Sequence, residues 1–279
     1  MGMPNTLMLI RHGESEANVI QNADDNGTID QLDTEAVCAV RKRPDWEQRL
    51  SLRGEQQARV AGEWERANGY ALSEFNAVYC SFFVRARETA YNLDPKFEFL
   101  RPHSAIHEQD WGTYGEMTPE EQERLAPRTF RMHKANPMFA RFDNGESPID
   151  TMIRGREWRD TLYRKWDGKR VAAIMHGGTI LAMEAMLERW LPEDYAREKE
   201  LKLRKIRNLT HVIFNRVNPD DPEDIRDHPA WRKIIYPDAP HESPFGGEWV
   251  EVEDRRFIGG VTLKRSIDAI PRLLPAEED

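Results

Sequence analysis

Along the 279-residue chain, short apolar runs alternate with longer stretches in which polar and apolar residues recur at helical spacing. The runs at 7–10, 77–80, 171–175 and 211–214 have the length and unbroken apolar character of strands buried on both faces. Strand-like and helix-like segments taking turns predict an α/β fold with a mostly parallel sheet covered by helices. Helix starts are marked in "LSLRGEQQARVAGEWERA", where Ser51 can cap, and in "NGESPIDTMIRGREW", where Ser147 precedes Pro148 at a first helical position. The segment from about Gln21 to Arg49 is polar, contains "NADDNG" and reads as an insertion with a little helix. From "NPDDPEDIRDHP" onward the chain is rich in Pro and Asp and reads as an extension around the core.

Charge narrows the field of partners. With 49 acidic against 40 basic residues, a formal net charge of -9 argues against nucleic acid or an anionic membrane as the main partner, while leaving room for a local basic pocket. Cys38 and Cys80 are too few for a disulfide framework, and neither sits in a metal-ligand spacing. Free thiols, the lack of a basic, apolar leader and the lack of a membrane-length apolar run lead to an expectation of a cytoplasmic protein. No motif speaks to its oligomeric state.

Two junctions repeat one arrangement. "LMLIRHGESEAN" and "VAAIMHGGTILAM" each run an apolar strand into His-Gly and then into a helix, which sets His12 and His176 just past strand ends. In open α/β sheets the ligand crevice lies beyond those ends. Gly13 and the Gly177–Gly178 pair let backbone approach a ligand, and the helix starts offer N–H groups that attract anions. Either histidine alone reads as an ordinary loop residue; the pair, with Arg11 adjacent, reads as a site. A third stretch, "AVYCSFFVRARETA", breaks from strand at Ser81 into a helix that puts Arg85 and Thr89 on one face and Arg87 nearly opposite. One of the two arginines can therefore face the crevice, where its fork of donors suits a pair of phosphate oxygens.

In this order, "LIRHGESEAN", "LSLRGEQQA", "SFFVRARETA", "HEQDWG", "NGES" and "IMHGG" resemble the histidine phosphatase superfamily, also called the phosphoglycerate mutase-like family. The resemblance runs from about residue 6 to residue 215 and is most evident for the branch with a Glu-Gln-Asp-aromatic-Gly signature, that of plant phosphoglycerate mutase-like proteins. It implies a three-layer α/β/α sandwich spanning residues 1–279 as one domain, with the insertion at about 19–49 and the extension at about 217–279. It implies that His12 takes a phosphoryl group on a ring nitrogen, and that Arg11, Arg85 and His176 clamp the phosphate. Asn18, the Gly177 backbone N–H and Ser15 are implied as completing that seat. Glu108 is the implied proton donor; Asp110 competes, and the Glu-x-x-x-Gly spacing to Gly112 favours Glu108. The implied substrate is a small phosphorylated metabolite, handled without cofactor or metal.

Departures from the family shape the expected activity. The segment that follows the first motif in true mutases is replaced by "QNADDNGTIDQLDTEAVCAV", and "APRTFRMHKANP" offers only the loosely spaced Arg128 and Arg131 for a substrate carboxylate. Hydrolysis, which needs only water as acceptor, is expected ahead of mutase activity. Two other readings weigh less. Cys80 and Arg85 are one residue short of a cysteine-phosphatase loop, and a non-catalytic phosphate-binding module would have no need of the full catalytic set. His107-Glu108 lacks a second histidine at helical spacing and is not read as a metal motif. Substrate choice is expected to come from the insertion, acting as a lid, from the stretch after Gly112 and from the extension.

Overall fold

Strand β1 (Thr6–Arg11) shows how the sequence dictates the layers. A strand points successive side chains to opposite faces. Leu7 and Leu9 accordingly join Trp158, Leu162, Ile180 and Met183 in one buried cluster, while Met8 and Ile10 join Ala58, Ala61, Ala86 and Ala90 in another. A strand apolar at every position thus feeds two cores, one on each side of the sheet. The structure is a computed structural model that describes residues 2–115, 117, 119–201 and 205–274.

The other strands are β2 (Ala77–Cys80), β3 (Leu100–Pro102), β4 (Arg170–Met175), β5 (His211–Asn215), β6 (Trp231–Ile235) and β7 (Val250–Glu251), in the spatial order β3-β2-β4-β1-β5-β6-β7. β3, β2, β4 and β1 pair in parallel, and β5, β6 and β7 each add antiparallel to the strand before. Five strands therefore point one way and two the other, which matches the expected mostly parallel sheet. The four strands expected from apolar runs all form. Helices α3 (Leu52–Ala67) and α4 (Val84–Leu93) cover one face; α7 (Pro148–Lys165) and α8 (Gly177–Leu187) cover the other. Ser51 and Ser147 cap α3 and α7 by accepting from the N–H groups of Gly54 and Asp150, and Pro148 opens α7 as expected. A buried hydrogen bond of 2.7 Å between Glu65 and His211 pins α3 to β5. No helix among the described residues is long and apolar enough to cross a membrane.

Two expectations need correction. The insertion is largely helical: α1 (Glu16–Asp25) and α2 (Thr34–Lys42) fill it, followed by a 3₁₀ turn at Asp45–Glu47. Each helix buries only a narrow stripe, Ile20 and Ala23 in α1 and Val37 in α2, and is set by its cap rather than by apolar periodicity. Ser15 and Asn18 form a capping box on α1, and Asp33 accepts from Ala36 N on α2. The extension, for its part, does more than wrap the core, because β6 and β7 lengthen the sheet itself, with Trp231, Ile234 and Ile235 buried. Its remaining helix is α10 (Gly260–Asp268). Shorter helices α5 (Pro119–Leu125), α6 (Pro127–Ala135) and α9 (Pro192–Leu201) complete the chain.

The first turn of α3 presses directly on the loop after β1. A Cβ placed on Gly54 would lie 1.9 Å from the carbonyl oxygen of Glu14, which is backbone and cannot swing away. Glu14 is held in turn by Ser51 Oγ and by Gln57, which accepts from its N–H. The Gly54→Ala variant should lose about 1–3 kcal/mol in a chemical denaturation experiment, the usual cost of overpacking, and an unchanged midpoint would show that the loop yields.

Candidate active site

Parallel neighbours β1, β4 and β2 end side by side, so the residues that follow them meet at one edge of the sheet. His12 follows β1, His176 follows β4, and Ser81 follows β2 one turn before Arg85 on α4. A backbone bond of 3.0 Å from His12 N to Met175 O fastens the first two loops. The imidazoles lie 5.1 Å apart in an edge arrangement, and both are buried.

A hydrogen bond fixes the tautomer of His12. His12 Nδ1 lies 2.7 Å from Gly13 O, a pure acceptor, so Nδ1 carries the proton and Nε2 keeps its lone pair. Arg85 Nε–H points at that lone pair from 3.3 Å. His176 is held by its other nitrogen. Its Nε2 lies 2.8 Å from Ser81 Oγ, a hydroxyl that accepts from Phe83 N. Its Nδ1 is a buried atom with no hydrogen-bond partner among the described residues. It faces Glu108 Oε2 at 4.0 Å.

Arg11 is half-buried beside these groups and donates from Nη1 to Ile206 O at 2.7 Å, leaving its buried Nε unpartnered among the described residues. Arg85 is only 5% exposed, whereas Arg87 on the opposite helix face is exposed, as the periodicity predicts. Thr89 accepts from Gly13 N and donates to Arg85 O, tying α4 to the histidine loop. Glu108 enters from the loop after β3. Its approach requires Gly178, where a Cβ would stand 2.9 Å from Glu108 Oε1. The competing Asp110 is exposed and turned into its own loop, accepting from Gly112 N at 2.8 Å.

The other expected seat residues lie close by in supporting positions. Ser15 accepts from Asn18 N as a helix cap, and Asn18 Oδ1 accepts from Ser15 N and from Asn208 Nδ2, which also donates to His12 O. Gly177 is the first residue of α8, whose N-cap, His176, makes no side-chain cap, so its first N–H groups open toward the crevice. Arg128 and Arg131 are exposed on α6.

Burial, followed by the nearby arginines, holds both imidazoles well below their ordinary pKa, so both are neutral at physiological pH. Burial also pushes the Glu108 carboxyl up, against the opposing pull of Arg85 and Arg11. The Cys80 thiol is raised by burial and kept protonated, which removes it as a nucleophile. One arrangement invisible in the sequence spacing is that His12, Glu108 and His176 bring ligand atoms within 4.8 Å of one another, close enough to hold a metal ion. Two guanidiniums against the same atoms repel a cation, and the unpartnered donors aim inward, so the charge and the donors fit an anion. A groove of about 580 Å³ near Ile225, His228 and Arg256 lies apart from this chemistry, and its charges pair among themselves.

A family model described as the histidine phosphatase superfamily (branch 1) matches residues 7–218. The chain belongs to the histidine phosphatase superfamily. Phosphoglycerate mutase-like protein AT74 of Arabidopsis thaliana is 28% identical over 182 residues, 61% of this chain and 50% of that protein. AT74H of the same plant is 27% identical over 217 residues, 70% of each. The chain thus spans about half the length of AT74. Among solved structures, a mycobacterial glucosyl-3-phosphoglycerate phosphatase superposes with a TM-score of 0.58 at 21% identity, covering 82% of this chain and 96% of that one. Family membership and the structural likeness together show the fold that the chain shares with these proteins.

Several residues that hold this histidine phosphatase site together carried no role in the sequence reading. Arg154 donates to the carbonyls of Ala105, His107 and Glu108 while paired with Glu146, whose Oε2 accepts from Asp110 N. One guanidinium thus shapes the whole Glu108 loop. Glu146 lies inside the "NGES" motif, which marked it without explaining it. Ser81 had a signal too, as the residue where strand gives way to helix. Replacing Ser81 with Ala should free the His176 ring and weaken inorganic phosphate binding by roughly 2- to 10-fold, the worth of one hydrogen bond; calorimetry showing unaltered affinity would deny Ser81 this role.

Proposed function

We propose that the protein hydrolyses phosphate monoesters of small metabolites through a phosphohistidine on His12. The observation that carries this reading is the His12 ring itself, with Nδ1–H fixed on Gly13 O and the Nε2 lone pair aimed at a pocket of inward-facing donors. Nε2 attacks phosphorus, the P–O bond to the alcohol breaks, and Glu108 delivers its proton to the departing oxygen. Water then attacks the phosphohistidine, gives its proton to the Glu108 carboxylate and leaves inorganic phosphate and neutral His12. Throughout, Arg11, Arg85, His176 and the first N–H groups of α8 face the phosphoryl oxygens, which is the electrostatic positioning that phosphoryl transfer needs. Because these groups supply the positive charge, no metal ion is called for. Hydrolysis is favoured over mutase chemistry because Arg128 and Arg131 are solvent-exposed on α6, which leaves a substrate carboxylate without a recognisable seat.

Two experiments test this. Quenching a reaction with a ³²P-labelled monoester, run in EDTA, should trap label on His12 as an acid-labile, base-stable adduct. Label that is base-labile, absent in EDTA, or retained by the His12→Ala variant would refute the mechanism.

The second concerns Glu108 and pH. As an acid it must be protonated, so hydrolysis of alkyl phosphates should fall as pH rises through its raised pKa; as a base His12 must be neutral, so the acid limb should lie below the ordinary imidazole range. Glu108→Gln should slow phosphoryl transfer from alkyl esters to His12 by about 10²- to 10⁴-fold, spare that step for an aryl phosphate whose phenolate leaves unprotonated, and abolish the alkaline limb of alkyl ester transfer. Equal losses on both ester classes in single-turnover transfer would exclude Glu108 as the donor.

A further inference from the structure

The insertion reaches back into the site through one residue. Asp45, in the 3₁₀ turn after α2, accepts from Arg85 Nη1 on both its carbonyl oxygen, at 2.7 Å, and Oδ1, at 2.9 Å, and from Nη2 on Oδ2, at 3.2 Å. A guanidinium has five N–H groups in a fixed plane. Asp45 takes both of those on Nη1 and one on Nη2, and Nε–H goes to His12 Nε2. The remaining Nη2 hydrogen lies on the same edge of the plane as Nε–H. Asp45 therefore saturates the far edge of Arg85 and turns the near edge, with its two parallel donors, onto the nucleophilic nitrogen.

We infer that Asp45 is a positioning residue, which aims the Nε–Nη2 edge of Arg85 at the phosphoryl group transferred to His12. This rests on the phosphohistidine reading above and adds a duty to the insertion. On arrival of the phosphoryl group the long Nε–H contact passes from His12 Nε2 to a phosphoryl oxygen, freeing the lone pair to attack, while the Asp45 contacts stay in place. The turn is built to stay. Gln48, 4% exposed, donates to the carbonyls of Val40 and Arg43; Arg43 pairs with Glu16 at 2.5 Å; and Leu50 N donates to Glu88. An anchored turn that presents both a main-chain and a side-chain acceptor suits a bracket better than a swinging lid. Arg85 gains most from such a bracket because its own surroundings are Phe83, whose ring lies 4.9 Å from the guanidinium carbon, and His12, neither of which can balance a buried cation's far edge.

The test is a double-mutant cycle of Asp45→Ala and Arg85→Lys, read by calorimetry with inorganic phosphate and by turnover of an aryl phosphate. Asp45→Ala should weaken phosphate binding and lower kcat by about tenfold with Arg85 present, and by less than about twofold in the Arg85→Lys background, because a lysine has no edge to aim. Asp45→Asn, which keeps the carbonyl and one side-chain oxygen, should fall between the wild type and Asp45→Ala. The Asp45 side chain is 62% exposed, so an unchanged melting temperature is expected and separates positioning from folding. Tighter phosphate binding in Asp45→Ala would mean that the carboxylate competes for the seat, and equal losses in both backgrounds would mean that it acts elsewhere; either overturns the inference. Persistence of wild-type turnover in His12→Ala would instead strike the phosphohistidine reading, and the phosphate-binding arm of the cycle would still decide the role of Asp45.

Discussion

Everything at this site answers to one constraint: two guanidiniums and two imidazoles share one crevice with too little negative charge to balance them. Arg85, His12 and His176 are buried and Arg11 is half-buried. Four cations in such a space would be prohibitive, and the molecule resolves this by keeping both rings neutral and letting only the arginines carry charge. What remains is a positively charged pocket whose charge suits an anion. The carboxylates that approach it do so at its margins, Glu108 with its pKa raised and Asp45 on the outer edge of Arg85.

Such a crowd stays in place only on stiff supports. The histidines leave hydrogen-bonded parallel strands, and the residues just beyond the strand ends are fastened again, His12 to Met175, Gly13 to Thr89 and His176 to Ser81. Arg154 does the same for the loop after β3, gathering three carbonyls under one planar cation. Polar groups in this layer thus serve geometry first, and their chemistry is borrowed from a few atoms left unpaired on purpose by the packing.

How much of this could be read from the chain follows from the range of each interaction. Strands β1, β2, β4 and β5 declared themselves because a strand buried on two faces must be apolar throughout. β6 did not, because Arg232 and Lys233 interrupt "WRKIIY" and its setting is rich in Pro and Asp. The helices of the insertion escaped notice because caps define them and few apolar residues repeat. His12 and His176 were legible as twins of one local pattern, and the choice of Arg85 over Arg87 followed from helical periodicity together with the family resemblance. Asp45 takes its role from a partner 40 positions away and Arg154 from carbonyls 46 to 49 positions away, so no local pattern could announce them; Ser81 was marked as a strand end, but its partner His176 lies 95 positions away. The contrast between Glu108 and Asp110 was of the same kind: Asp110 is exposed and accepts from Gly112 N in a turn of its own, while Glu108 faces His176.

The antiparallel half of the sheet has a bearing on where this protein can be cut. The stretch that matches its family stops at residue 218, just past β5, whereas β6 and β7 cover the flank of β5 from positions 231 to 251. A chain trimmed to the recognisable stretch would present the unpaired N–H and C=O row of β5, flanked by Val212, Ile213 and Phe214, as an open sheet edge of the kind that recruits other chains. The end of the family match and the end of the sheet therefore fall at different residues, and the sheet ends at β7.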